Sequence, residues 1–198
     1  MSNKNTEEKK NSIVKEVVEM GLYMVAVFLA VWLILTFVGQ RVEVSGQSMY
    51  DTLEDGDNLW VDKLTYRFQD PERYDIVIFP HEENGEKSYY IKRIIGLPGE
   101  TVRIEEDGNI YVNGEILEEE YGYETIASYT IKRAKNDIVL GQDEYFVLGD
   151  NRNDSLDSRS EDVGNVQGEE LVGKAAFRIW PLSKFGNLVQ RKINNKNK

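Results

Sequence analysis

The stretch "MGLYMVAVFLAVWLILTFVG", Met20 to Gly39, holds twenty residues without a charge, and four residues beyond it begins "VSGQSMYDTL", Val44 to Leu53. At 1.5 Å rise per residue such a run matches a hydrocarbon core of about 30 Å, so it reads as a transmembrane helix. A cleaved secretory signal is the alternative. Its apolar core is usually only about 7–15 residues and ends in a small-x-small site, and "LTFVGQRVEVSG" offers no good one. Lys4, Lys9, Lys10 and Lys15 precede the run, and Arg41 alone closely follows it. The positive-inside rule then puts the N-terminus in the cytoplasm and everything after residue 40 outside. The chain divides accordingly into a cytoplasmic lead (1–19), an anchor (20–39), an extracytoplasmic β-rich domain (40–190) and a polar tail (191–198).

Beyond the anchor, alternating or β-branched runs recur between turn signals: "VEVS", "DNLWVDKL", "YDIVIFP", "SYYIKRIIG", "TVRI", "NIYVNGEIL", "EYFVLGD" and "LVGKAAFRIWPL". Asn113-Gly114 between "IYV" and "EIL" is a two-residue hairpin signal. No helical period of twelve residues follows the anchor. The expected fold is mainly β, an antiparallel barrel-like domain on one N-terminal transmembrane helix, with "EEEYGYETIASYTIKRAKNDI" as an excursion from the main sheet.

Composition removes several functions. Zero cysteines exclude disulfides, thiolate nucleophiles and cysteine zinc sites. The one histidine, His81, lies in "PHEENGEKS", a loop or hairpin tip, so a Ser-His-Asp triad rests on one poorly placed residue. A net charge of -11 excludes nucleic-acid binding, which needs a basic face.

Ser48 sits among turn-forming residues, with Gly46 before it to let a second chain approach and unbranched Met49 after it. It reads either as a nucleophile or as a turn that ends a stalk. A serine needs a base, and without a usable histidine the remaining choices are a carboxylate or a desolvated lysine. Burial lowers a lysine's pKa because it disfavours the charged form. Lys92 interrupts the strand "SYYIKRIIG", and Arg93 points the other way, so one of the two must face inward. The plainer reading is a lysine on the solvated side of an edge strand. "LGDNRNDSLDSRSED", Leu148 to Asp162, gathers Asp150, Arg152, Asp154, Ser155, Asp157, Ser158 and Arg159. It reads as a scaffold of Asx turns and Arg-carboxylate forks. Calcium is the rival ligand, but two arginines inside the loop oppose a cation. No metal or other cofactor is implied.

These stretches together resemble the type I signal peptidases, Ser-Lys membrane proteases that remove signal peptides from exported proteins. "SGQSMYDTL", "YDIVIF", "IKRIIGLPGE" and "GDNRNDSLDSR" occur in the family's order after an anchor, over roughly Val17 to Pro181. The resemblance implies Ser48 as nucleophile, Lys92 as general base, and Ser155 as a hydrogen-bond donor that orients the lysine. It implies an Asp157–Arg159 ion pair behind the site, with Asp150 and Arg152 shaping the loop. The Ser48 N–H would hold the oxyanion, and Gly46 stands where some relatives carry a further serine. Val44, Gly46, Met49, Leu53 and Ile91 would meet the small residues before the cleavage site. The implied partners are exported preproteins, membrane lipid and the secretion machinery.

Two positions depart from the family pattern. Glu100 replaces an aspartate, and Asp51 replaces a proline. Asp51 either faces Lys92 and favours its ammonium form, which predicts an alkaline activity optimum, or closes an Asx turn toward solvent. Nine residues from Gly39 to Ser48 reach at most roughly 30 Å, which keeps the serine near the membrane surface, and Trp60 and Trp180 are candidates for the interface. A self-cleaving repressor also uses Ser and Lys but lacks the span. A catalytically weak or inactive signal-peptidase-like surface domain, assisting pilus or surface-protein assembly, is the alternative function.

Overall fold

The computed structural model describes the backbone of residues 2–83 and 85–188, and side chains from residue 13 onward within those limits except Glu83. The polar tail (191–198) lies outside the described residues. Two compact units result, residues 1–38 and 39–198. The first is the helix α1, Ser2–Leu33, continued by a π-helical turn over Ile34–Val38. Its apolar part, Ile13–Val38, has a mean hydropathy of 2.5 with none of it buried, which is long and apolar enough to cross a membrane. The lead before Met20 is helical too, and Gly39, expected to close the anchor, opens the first strand instead. Glycine fits there because a Cβ would meet the Val61 carbonyl and the Trp60 ring.

The second unit is antiparallel β. Its strands are β1 (Gly39–Glu43), β2 (Asn58–Asp62), β3 (Ile76–Glu83), β4 (Glu86–Gly96), β5 (Thr101–Ile104), β6 (Ile110–Val112), β7 (Glu115–Ile116), β8 (Ile138–Val139), β9 (Glu144–Leu148), β10 (Val166–Gln167), β11 (Gly173–Trp180) and β12 (Gly186–Asn187). The main sheet runs β1-β2-β11-β3-β4-β9-β10, with β12 beside β11, and a smaller sheet runs β7-β6-β5-β8. No pair among the described strands closes the main path from β1 to β10 into a barrel. The first strand ends at Glu43, halfway through the expected "VEVS", because Val44 turns inward to exchange backbone hydrogen bonds with Gly56 and Asp57. The β6–β7 hairpin turns on Asn113 (φ 54°) and Gly114 (φ 84°), the positive angles that a two-residue turn demands. His81 stands within β3, three residues short of the tip.

The central strands are apolar on both sides. In β3, Ile76 and Ile78 join a core with Val44, Met49, Leu53, Leu59, Val61 and Ile91, while Val77 and Phe79 join Ile94, Tyr145, Val147 and Val166 on the other face. Strands covered on both faces read as continuous apolar runs rather than alternations. The strand β4 is long enough to serve two purposes. Its second half lies between β3 and β9, and its first half, Glu86–Tyr90, pairs only with β3 in the recorded registers.

Candidate functional site

Ser48 lies in the loop that joins β1 to β2. The loop is fixed from within by hydrogen bonds from Tyr50 N to the Gln47 carbonyl (3.0 Å) and from Leu53 N to the Met49 carbonyl (2.8 Å). Gly46 takes φ +90°, and its N–H donates to Asp55 Oδ1 (2.8 Å). A side chain there would be strained, which suits glycine. The loop is also tied to the segment after β9: Asn151 N donates to the Ser48 carbonyl (3.0 Å), and Asn151 Nδ2 to the Gln47 carbonyl (3.2 Å).

From β4 the Lys92 side chain enters this loop. Its Nζ lies 2.8 Å from Ser48 Oγ and 3.1 Å from the Ile91 carbonyl, and the residue is 4% exposed. Burial is the chief cause that brings its pKa down from 10.5 to about 8. Asp157 and Asp150 work against that fall, and Arg159 adds to it. An amine so placed is neutral in a useful fraction of molecules near pH 8, and a neutral amine there can accept a proton from Ser48 Oγ.

Arg93, one residue on, is buried as well. The expectation that one of the pair faces inward is corrected: both do, because β4 is covered on both faces. Arg93 grips Asp150 through Nε (2.8 Å) and Nη2 (2.6 Å), donates to the Tyr74 carbonyl (2.9 Å), and stacks 3.9 Å from the Tyr121 ring centre. Arg152 pairs with Glu119 (2.6 Å) and donates through Nε to the Gly149 carbonyl (3.0 Å). Arg159 grips Asp157 through Nε (2.8 Å) and Nη2 (2.7 Å). Burial pushes the Asp157 carboxyl up, but the Arg159 guanidinium and the Gly149 N–H outweigh it and hold the group below its ordinary value. So Asp150 and Arg152 do not close on each other. Each reaches an outside partner, Arg93 or Glu119.

Ser155 does not donate to Lys92 here. Its Oγ is buried, packs where a Gly149 side chain would stand and interacts with the Asp157 carboxylate, while the lysine is taken by Ser48 and Ile91. A cleft of about 410 Å³ is lined by Ser48 and Lys92 together with Glu43–Gln47, Ser88–Ile91, Asp154 and Leu156. Val44, Gly46, Met49 and Ile91 line it. Leu53 does not. It is fully buried in the core beneath the loop, where the turn that follows Met49 directs it. Asp51 is exposed, and the carboxylates that raise the Lys92 pKa are Asp157 and Asp150, which favours the reading of Asp51 as a solvent-facing residue over the one in which it acts on the lysine. Glu100 forks onto Arg73 (3.0 and 2.5 Å) and accepts from Leu97 N (2.8 Å), so the longer acid shapes the turn between β4 and β5.

Sequence reasoning missed Glu119, Asn151 and the arginine Arg178 of β11, which pairs with Asp57 (3.0 Å) and donates to the Thr52 carbonyl in the Ser48 loop. The apolar neighbours of "KR" in "YIKRIIG" were the one local signal that Arg93 is buried.

The sequence profile of the family described as "Signal peptidase, peptidase S26" matches residues 17–180. The chain is 41% identical over 191 residues to the "Probable signal peptidase I-2" of Synechocystis sp., which covers 93% of this chain and 84% of that protein. It is 31% identical over 189 residues to signal peptidase IB of Staphylococcus aureus (strain COL), covering 86% of this chain and 93% of that one. The crystal structure of a signal peptidase I from Enterococcus faecalis V583 has 35% identity and a TM-score of 0.42, over 54% of this chain and 97% of that chain.

Proposed function

From membership in the signal peptidase family, to which this chain belongs, we propose that it is a membrane-anchored serine endopeptidase that removes N-terminal signal peptides from exported preproteins through a Ser48–Lys92 dyad. The observation that carries this reading is the 2.8 Å approach of a buried, low-pKa lysine to Ser48 in a cleft. Neutral Lys92 takes the Ser48 proton as Oγ attacks the scissile carbonyl, and the Ser48 N–H stabilises the resulting oxyanion. The lysine then protonates the leaving amine, leaving an acyl ester on Ser48. Water, deprotonated by Lys92, hydrolyses that ester. Ser155 orients the amine once Ser48 is acylated and no longer holds it.

The residues before the scissile bond enter the cleft between Val44–Gln47 and Ser88–Ile91, where the open edge of β4 offers backbone groups for strand addition. Val44, Met49 and Ile91 favour small side chains there, and Gly46 leaves room for the substrate backbone. The apolar helix that runs to Val38 serves as the anchor, with residues 1–19 in the cytoplasm and the catalytic domain outside, at the depth where a preprotein ends its own apolar segment. Exposed Trp180 and half-buried Trp60 meet the lipid, and the secretion machinery delivers the substrate. Cleavage of a preprotein in detergent, with the product's N-terminus sequenced, tests the reading. Wild type is expected to cut once, after the signal segment, and Ser48→Ala not at all. Equal cleavage by both refutes it.

A further inference from the structure

The cleft accounts for the substrate on one side of Ser48 only. It is lined by Glu43–Met49, Ser88–Lys92, Asp154 and Leu156, and Tyr50, two positions beyond Ser48 in the loop, is not among these residues. The Tyr50 ring meets the Tyr123 ring edge-on, with centroids 4.9 Å apart and planes at 75°. Both rings are open to solvent, Tyr50 at 38% and Tyr123 at 52% exposure. Both are also held by backbone bonds to the site itself. Tyr50 N donates to the Gln47 carbonyl (3.0 Å), and Tyr123 N donates to the carbonyl of Asp150 (2.8 Å), whose carboxylate Arg93 grips. The pair is therefore presented rigidly, by the two segments that build the site.

A chain lying across Ser48 with its earlier residues in the cleft leaves the serine on this far side. Tyr50 lies two positions after Ser48, a span of at most about 7 Å, which is the reach of the second or third residue beyond the scissile bond. We propose that Tyr50 and Tyr123 form a subsite for the second or third residue of the mature chain, taking a flat or long apolar side chain against the ring faces. Exposed carboxylates flank the rings at Asp51 and Glu124, so the same subsite disfavours an acidic side chain by like-charge repulsion. This inference rests on the peptidase reading above and adds to it a selectivity for residues after the bond.

The test is a peptide series identical up to the scissile bond and differing only at the second and third positions after it, as Phe, Leu, Ala or Asp, cut by the full-length protein in detergent. Aromatic contact predicts kcat/KM for Phe about two- to tenfold above Ala, with Asp below Ala. The Phe/Ala ratio is expected to fall to near one in Tyr123→Ala and to survive in Tyr123→Phe, and Asp51→Asn is expected to raise the Asp peptide relative to Ala. Because each ratio is taken within one enzyme sample, loss of folded protein cancels. A wild-type ratio of one, or a ratio unmoved by Tyr123→Ala, overturns the subsite while leaving the peptidase standing. Failure of wild type to cut any peptide overturns the peptidase reading and the subsite with it.

Discussion

Lys92→Met replaces a buried amine by an apolar chain of similar length and isolates what burial does to Lys92. Bringing its pKa from 10.5 to about 8 corresponds to roughly 3 kcal/mol at 1.36 kcal/mol per tenfold. The folded pKa is the lower one, so between about pH 8 and 10.5 the unfolded chain still binds a proton that the folded chain has lost. Stability therefore rises with pH through that window, and the penalty stands in full below pH 8. Methionine carries no such penalty, while the lost contacts to Ser48 and the Ile91 carbonyl cost about 1 kcal/mol each at any pH. The stability difference between Lys92→Met and wild type is expected to shift by roughly 2–3 kcal/mol toward wild type between pH 7 and pH 10. For a domain of this size that is about 4–12 °C in relative Tm. Thermal unfolding of both full-length proteins in the same detergent, followed by tryptophan fluorescence, measures it, since every other titrating group is common to the two. A difference that stays flat across pH 7–10 would show that Lys92 does not change protonation there, and the neutral-base mechanism would fall. Turnover reads the same equilibrium: kcat/KM should be about tenfold higher at pH 9 than at pH 7.

Ser48→Ala and Lys92→Ala should each lower kcat/KM by several orders of magnitude, with the double variant little worse, because the two act as one unit; wild-type-like turnover in either single variant refutes the dyad. Lys92→Arg should be equally inactive, since a guanidinium keeps its proton in a protein. Asp157→Asn removes the carboxylate that most opposes the low lysine pKa and leaves Arg159, so the rising limb of kcat/KM should move to lower pH, with about 3–5 kcal/mol of stability lost through the unpaired buried arginine. Asp51→Asn should leave that limb in place on an Ala-containing peptide, and superposition of the Asp51 and Asp157 variants would contradict the assignment. Gly149→Ala would drive a methyl group into Ser155 Oγ and the Ser48 carbonyl, so the nucleophile's loop must shift and kcat should fall more than KM changes.

What could be read from the sequence was what short-range chemistry encodes. The apolar run announced a helix, and Asn113-Gly114 announced a turn whose positive φ angles few other pairs accept. "IVIF" announced a strand, although its unbroken apolarity hid which face was which. The partners of the arginines were not legible, because Arg93 and Asp150 stand 57 positions apart and Arg152 finds Glu119 in a segment with no periodicity. Leu53 was assigned to the cleft by its place near the nucleophile, whereas one hydrogen-bonded turn carries it into the core. Asp51 looked influential by counting positions from Ser48, yet the charges that act on Lys92 come from a loop about a hundred residues later.

That loop explains how one lysine can be buried beside so many charges and still lose its proton. A carboxylate alone near Lys92 would hold the ammonium form and stop the chemistry. Here each acid near the amine arrives with its own guanidinium: Asp157 with Arg159, both almost wholly buried, and Asp150 with Arg93, likewise. Arg159 takes back part of what Asp157 does to the lysine, so that carboxylate holds the Gly149 N–H and the loop without imposing its full field. Burial is then left as the dominant influence on Lys92, and it acts in the direction that catalysis needs. The requirement extends to charge as well as shape: removing Arg159 would leave Asp157 uncompensated and raise the Lys92 pKa, so a loop that kept its fold could still lose its proposed base.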